Sequence, residues 1–264
     1  MMKFDFPGPG AGFSLHNHSN WSDGASPLDE VCRAGKAAGL QVFGISDHWV
    51  VPPSEGYDSE SWSMKLDRLD DYVAALQKLK GQLDDENFSL KIGLEVDFFF
   101  ENISDVLANL KNYPLDYLIG SVHYSGKFPI DYDISSWDGL SESDKDEICE
   151  IYWQKLLGAA QVEEFTFIGH LDLPKKFALI DNEKYLPHAE KVLDALALHH
   201  GAIELNTAGW FKPCNEQYPA LPMLALARQR NIPVIVNSDS HSSGDVIREF
   251  GRAYGICDRA GYSF

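Results

Sequence analysis

The sequence predicts an α/β protein built on a parallel sheet, either open or closed into a barrel. Three observations carry that reading. Seven short apolar runs alternate with longer segments of helical periodicity, the pattern of repeated β/α units. The 264 residues match the roughly 250 that a β/α barrel uses as one domain. No linker, low-complexity tract or internal repeat divides the chain, so residues 1–264 read as a single domain.

The elements follow in order. The first strand is expected at Phe13 to His16. Ser26-Pro27 then reads as an N-cap followed by proline at the first helical position, and the helix runs to about Gly39, where glycine closes it. Gln41 to Ser46 is the second strand. Leu66, Leu69, Val73, Leu76, Leu79 and Leu83 are spaced for one face of a helix. Lys91 to Val96 and Tyr117 to Val122 are strands three and four. A helix over Ser143 to Val162 leads to a fifth strand at Phe165 to Ile168. The helix over Glu183 to His199 precedes strand six, Ala202 to Leu205. Pro219 to Arg230 is helical, Pro233 to Asn237 is strand seven, and Gly244 to Gly251 begins the last helix or turn. Two connections are long, Trp49 to Ser61 and Tyr124 to Leu140, and read equally as lids or as plain surface loops.

Composition narrows the function. Hydrophobic residues make up 44% and charged residues 23% of the chain, which is enough apolar content for a large core. The formal charge of −18 argues against a phosphate-tracking nucleic-acid groove. It leaves room for a small anionic substrate, because bound divalent cations invert the local field. Cys32, Cys149, Cys214 and Cys257 are far apart and form no C-x-x-C, as expected of reduced thiols in a cytoplasmic protein. The first residues lack a signal-peptide pattern, and no apolar stretch reaches membrane-spanning length. A homo-oligomer is compatible with all of this.

The chemistry lies at the strand ends. Of nine histidines, six end or directly follow a strand: His16 and His18 in Leu15-His16-Asn17-His18, His48 after Ser46-Asp47, His123 after Ser121-Val122, His170 after Ile168-Gly169, and His241 after Asp239-Ser240. Glu95 ends the third strand and Asp239 follows the seventh. In a parallel β/α fold the C-terminal strand ends share one face, so these residues converge. Two side chains of an extended H-x-H point to the same side and can grip one cation. Any one such histidine is usually structural. Six together with two carboxylates would be uncompensated buried polarity without a metal. With Asp23 there are nine candidate ligands, too many for one ion, since a single zinc takes three or four. Glu95 is the natural bridge between two ions. Sites of this kind suit zinc, manganese or iron, and suit hydrolysis of phosphate esters.

Several features are discounted. Pro7 to Gly12 is glycine-rich but precedes a strand, so it is no phosphate-cradling loop. His188, His199 and His200 lie on or after a helix and read as surface. Phe98, Phe99 and Phe100 read as packing. Trp49 and Trp210 follow strand ends and can line a pocket.

The segments His16-Asn17-His18-Ser19, Ser46-Asp47-His48, Gly93-Leu94-Glu95-Val96-Asp97, Asp116 to His123, Gly169-His170-Leu171-Asp172, Glu204 to Gly209 and Ser238-Asp239-Ser240-His241 resemble the PHP (polymerase and histidinol phosphatase) superfamily, and most closely its histidinol-phosphate phosphatase branch. They span nearly the whole chain in the family's order. The resemblance implies a distorted (β/α)7 barrel, TIM-barrel-like, with three divalent metal ions at the C-terminal strand ends. In that pattern His16, His18, Glu95 and Asp239 hold one ion, Glu95, His123 and His170 a second, and Asp23, His48 and His241 a third. Asp23 occupies a slot that is histidine in some relatives. The implied reaction is hydrolysis of a small phosphate monoester by a metal-bridging hydroxide, with Glu95, His123, Asp239 and His241 as the catalytic set. Lys175, Lys176, Asn206 and Lys212 are the candidate substrate-binding residues. The branch usually carries an arginine where this chain has Phe211, which puts histidinol phosphate itself in question. Two other readings stay open: a phosphodiesterase or exonuclease of the same superfamily, separable by comparing monoesters with nucleotides, and a non-catalytic metal-binding module, whose mark would be missing ligands.

Overall fold

The computed structural model describes residues 12–263. Strand β1 (Phe13–Ser14) is followed by α1 (Leu28–Ala37), β2 (Val42–Ile45), β3 (His48–Trp49), α2 (Leu69–Leu83), β4 (Ser89–Asp97), α3 (Ile103–Leu110) and β5 (Tyr117–Ser121). Then come β6 (Tyr124–Ser125), β7 (Phe128–Pro129), α4 (Glu142–Ala159), β8 (Phe167–Ile168), α5 (Leu186–Leu198), β9 (Ile203–Asn206), α6 (Leu221–Gln229), β10 (Val234–Asn237) and α7 (Phe250–Arg259). The main sheet runs β1-β2-β4-β5-β8-β9-β10 with every pairing parallel, and β3 adds to β4. Strands β6 and β7 form a separate hairpin. The sheet curls until its two ends meet, the seven-strand barrel expected from the alternation. Its closure is irregular. Among the described residues β1 and β10 share no ladder, and they meet through one parallel bridge between Asn17 and Ser240. His18 N donates to Ser240 O at 2.8 Å, and Leu15 N donates to the Asn237 side chain at 2.8 Å.

Hydrophobic periodicity explains the outer layer. Leu69, Tyr72, Val73, Leu76, Leu79 and Leu83 of α2 are buried against the sheet. Each such leucine removed from water stabilises the fold by about 1.5–3 kcal/mol. Leu66 does not join them: it sits in a 3-10 turn (Leu66–Arg68) and is half exposed. Helix α4 begins with a complete capping box between Ser141 and Asp144. In α1 the N-cap is Pro27 rather than Ser26. The Ser26 hydroxyl instead accepts from Ser243 N at 3.1 Å. The long helix expected from Glu183 resolves into a 3-10 turn (Asn182–Tyr185) followed by α5. Gly244 lies in a 3-10 turn, and α7 starts only at Phe250. Helix α3 and the β6–β7 hairpin were not expected from the sequence.

The barrel interior is filled at its lower end by Leu15, Tyr117, Ile119, Phe167, Ala202 and Ile235. Tyr117 is the largest of them. Its ring lies over Gly44 and Gly93, where an added Cβ would come within 2.3 Å of it. Its hydroxyl donates to Leu15 O at 2.6 Å. Glycine at both positions is therefore required by close approach. This plug puts a floor under the C-terminal strand ends. No helix of the described residues is long and apolar enough to cross a membrane.

Candidate metal centre at the C-terminal strand ends

The upper end of the barrel is lined by polar groups. Strand β4 delivers Glu95, fully buried, to the centre. Around it stand five imidazoles. Glu95 Oε2 lies 3.2 Å from His16 Nε2, 3.6 Å from His18 Nε2 and 2.7 Å from His48 Nδ1. Glu95 Oε1 lies 2.9 Å from His170 Nε2 and 3.6 Å from His123 Nε2. The two oxygens thus face different histidine sets, the geometry of a bridging carboxylate. Ser121 Oγ donates to Oε1 at 2.6 Å and fixes the carboxylate's rotation.

Local structure aims each group. The ladder stops at β2, Ser46 and Asp47 break the strand, and β3 resumes with His48 in register with Glu95. Asp239 has φ near 50°, the left-handed region that Asp tolerates better than most residues, and this turns its carboxylate back over the site. Its Oδ1 is 3.6 Å from His16 Nε2 and 3.2 Å from His18 Nε2. Asp23 sits in the loop after the H-x-H, 3.6 Å from His48 Nε2 and 3.3 Å from His241 Nε2. All nine expected ligands therefore gather in one place. They form overlapping groups whose ligand atoms lie within 4.8 Å of one another: His18, Asp23, His48 and His241; His16, His18 and Glu95; His48, Glu95 and His123; His16, His170 and Asp239. This partition differs from the one that the resemblance implies, because His170 groups with His16 and Asp239, and His123 with His48.

A surrounding layer sets the tautomers. Glu204 of β9 is fully buried and accepts from His16 Nδ1 at 3.0 Å, from His170 N at 2.7 Å, and from the side-chain amides of Asn206 and Asn237 at 2.9 and 2.8 Å. Asp97 lies 3.4 Å from His123 Nδ1, and His241 Nδ1 lies 3.0 Å from Asp239 O. With Nδ1 donating outward, Nε2 of His16 and of His241 is directed inward. Those nitrogens face carboxylate oxygens, so a cation is needed between them: a proton in the metal-free chain, or a divalent ion in its place. His16 Nε2, His18 Nε2 and Glu95 Oε2 are buried at these short distances without hydrogen-bond geometry. The donor set fits divalent zinc, manganese or iron. Glu204, Asp97 and Ser121 were not singled out from the sequence.

The electrostatics agree. Burial would raise Glu95, but the charges of His16, His48 and His123 outweigh it and hold the carboxyl well below the usual range. Burial, reinforced by like charge on His48 and His241, pushes His18 down to about 3, which leaves a neutral ligand. Burial opposes charge on His241, yet Asp23 and Asp239 raise it to about 9. Burial lifts Asp47 to about 6 against its hydrogen bonds from Ser22 and Ser19. Those bonds, at 2.5 to 3.2 Å, fold the loop that carries Asp23.

A cavity of about 410 Å³ opens over this cluster, lined among others by Trp62, Tyr124, Asp131, Lys176, Lys212 and Arg248. The expected substrate-binding residues divide. Lys212 and Lys176 line the cavity, but Lys176 Nζ already donates to Asp131 O at 2.5 Å and Asp131 Oδ2 at 3.0 Å. Lys175 does not reach it. Its buried ammonium is held by Asp172 at 2.9 Å, Glu216 at 2.7 Å and Gln217 O at 2.7 Å. Asn206 is buried at the end of β9 and does not line the cavity; its amide donates to Asp239 Oδ2 at 3.0 Å and so orients a candidate ligand. Trp49 and Trp210 belong to the core cluster and do not line this cavity. Arg248, unremarked in the sequence, does line it.

Comparison with known proteins gives a consistent result. The PHP domain model matches residues 14–208. A protein of Deinococcus radiodurans named "Probable histidinol-phosphatase" is 37% identical over 231 residues, 85% of this chain and 84% of its own. The histidinol-phosphatase of Bacillus subtilis is 27% identical, covering 79% and 84%. In fold, the chain is similar to the crystal structure of histidinol phosphate phosphatase from Lactococcus lactis, complexed with zinc, L-histidinol and phosphate. The TM-score is 0.80 at 21% identity, over 96% of this chain and 95% of that one.

Proposed function

The chain belongs to the PHP domain family, and on that premise we propose that it is a metal-dependent phosphoric monoester hydrolase acting on histidinol phosphate or a close relative. The carrying observation is Glu95, a buried carboxylate with histidine nitrogens converging on both of its oxygens. Oε1 is satisfied by Ser121 and His170, but a structural role would also satisfy Oε2 and the nitrogens of His16, His18 and His48 around it, and their geometry does not. Relatives named histidinol-phosphatase, matched over most of their length, support the substrate class.

Three divalent ions are the proposed complement, held by His16, His18, Asp23, His48, Glu95, His123, His170, Asp239 and His241. Bound there, such ions neutralise charge on phosphoryl oxygens and make water acidic enough to act near neutral pH. The protein's own part is preorganisation. Glu204 and the Asp239 carbonyl fix His16 and His241 with Nε2 inward, so little reorganisation is needed when charge develops. Walls of Trp62, Tyr124 and Tyr218 narrow the water around the bound ester. The acidic surface disfavours polynucleotides. Four free cysteines fit a cytoplasmic enzyme. The test is phosphate release by purified protein of measured metal content, with histidinol phosphate, other monoesters and nucleotide diesters side by side. Chelation is expected to abolish release and divalent metal to restore it. Faster turnover of diesters than of any monoester would overturn the reading.

A further inference from the structure

Among the described residues one guanidinium, that of Arg248, lines the cavity over the cluster. A phosphoryl group is best gripped by a planar guanidinium offering paired donors. The Phe211 ring is half exposed, and Arg248 lies against it with Cζ 4.0 Å from the ring centroid. A guanidinium stacked this way has one face covered while its N–H donors stay free in the plane. The backbone beneath it is pinned. Thr207 Oγ1, at the end of β9, donates to Arg248 O at 2.8 Å, and Ser238 Oγ, after β10, donates to Val246 O at 3.1 Å. Among the described residues the guanidinium's one hydrogen-bonded partner is Asp245, an ion pair in which Nη1 donates to Oδ2 at 3.1 Å. Nε is buried without a partner.

Two neighbouring ammonium groups are committed elsewhere. Lys175 points elsewhere into ion pairs, and Lys176 is held by Asp131. Arg248 lines the same cavity as Lys212, Asp239 and His241. We propose that Arg248 is the phosphoryl-binding arginine of this chain, with Phe211 as the shelf that holds it flat. The assignment rests on the phosphomonoesterase reading for the identity of the anion: non-bridging oxygens of a phosphate ester, or of inorganic phosphate after the reaction.

Arg248→Met keeps length and contact with Phe211 while removing the charge, and Arg248→Lys keeps a charge without the fork. For metal-loaded Arg248→Met, KM for the monoester and the inhibition constant of inorganic phosphate are expected to rise about 10–100-fold, the loss of one or two charge-assisted hydrogen bonds. The kcat should change less, and metal content and Tm should match the wild type. Arg248→Lys should recover part of the affinity, and Phe211→Ala should weaken phosphate by a smaller factor. Isothermal calorimetry with inorganic phosphate on metal-loaded protein gives a readout independent of turnover. If wild type hydrolyses no monoester but binds phosphate through Arg248, the function reading falls and this assignment stands. Phosphate affinity in folded, metal-replete Arg248→Met within about twofold of wild type would overturn the assignment.

Discussion

The two ends of the barrel interior are made by the same strands and filled by opposite means. Below, Tyr117, Phe167, Ile119 and Leu15 exclude water by volume, with Gly44 and Gly93 opening space for one ring. Above, Glu95 and six histidines bring ligand atoms together, and His16 Nε2, His18 Nε2, His48 Nδ1 and Glu95 Oε2 are left without hydrogen-bond partners. The lower end is optimised for the folded chain alone. The upper end is optimised for something the chain must bind, and carries a desolvation cost until it does. Within one strand the switch is abrupt. In β4, Gly93 touches Tyr117, and two residues later Glu95 meets five imidazoles.

The sharpest way to break the contrast is at Glu95. Glu95→Ala is expected to lower phosphate release at least about 10³-fold, since it removes a shared ligand from the charge-stabilising centre. Far-UV circular dichroism should stay native, and metal per protomer should fall. His123→Ala should likewise abolish turnover with the fold kept. At the other end, Tyr117→Ala should cost about 3–5 kcal/mol in urea unfolding, while protein that remains folded keeps its full metal content. Loss of metal without loss of stability in that variant would erase the division between the two ends.

Glu204→Gln sharpens the comparison from the site's outer layer. It keeps shape but lets Asn206, Asn237 and His16 lose their common anion, and metal affinity should drop about 10–100-fold in a chelator competition. Gly93→Ala acts on the floor and should destabilise by about 1–3 kcal/mol through overpacking against Tyr117. The smallest effect is in pH. In chelated protein, His241 has its pKa raised from 6.5 to about 9 by Asp23 and Asp239 against burial. Its contribution to stability is thus complete below pH 6.5 and lost as pH rises towards 9. Metal-loaded protein exchanges those protons for cations and should lack that decline, since binding strengthens as ligands deprotonate. Parallel Tm profiles for the two forms would contradict the assignment of His241 as a ligand.

The sequence was most readable where chemistry coincided with strand ends. His16, His48, Glu95, His123 and Asp239 could be aligned on one face without knowing any distance, because parallel strands share a direction. What it concealed depended on pairing across the chain. Glu204 stood at the head of a family-like segment, but nothing there pointed to its contact with His16, 188 positions away. Arg248 lies beyond the last strand, and only the fold brings it to Phe211. Lys175 and Lys176 are adjacent in sequence, yet a 3-10 turn (Leu173–Phe177) sends one into buried ion pairs and the other to the cavity rim. Helix α3 escaped because it has only 8 residues, too short for periodicity to stand out. Strand β8 is shorter than expected because only Phe167 and Ile168 pair with β5 and only Ile168 with β9.

The irregular meeting of β1 and β10 has a mechanical consequence. His16 and His18 stand on one side of that join and Asp239 and His241 on the other, while the backbone between them offers little more than the Asn17–Ser240 bridge. Cations gripped from both sides would act as rivets across a loosely stitched hem. Stripping them should raise amide hydrogen exchange at both borders together, around residues 13–18 and 234–241, while the strands on the far side of the cylinder keep their protection.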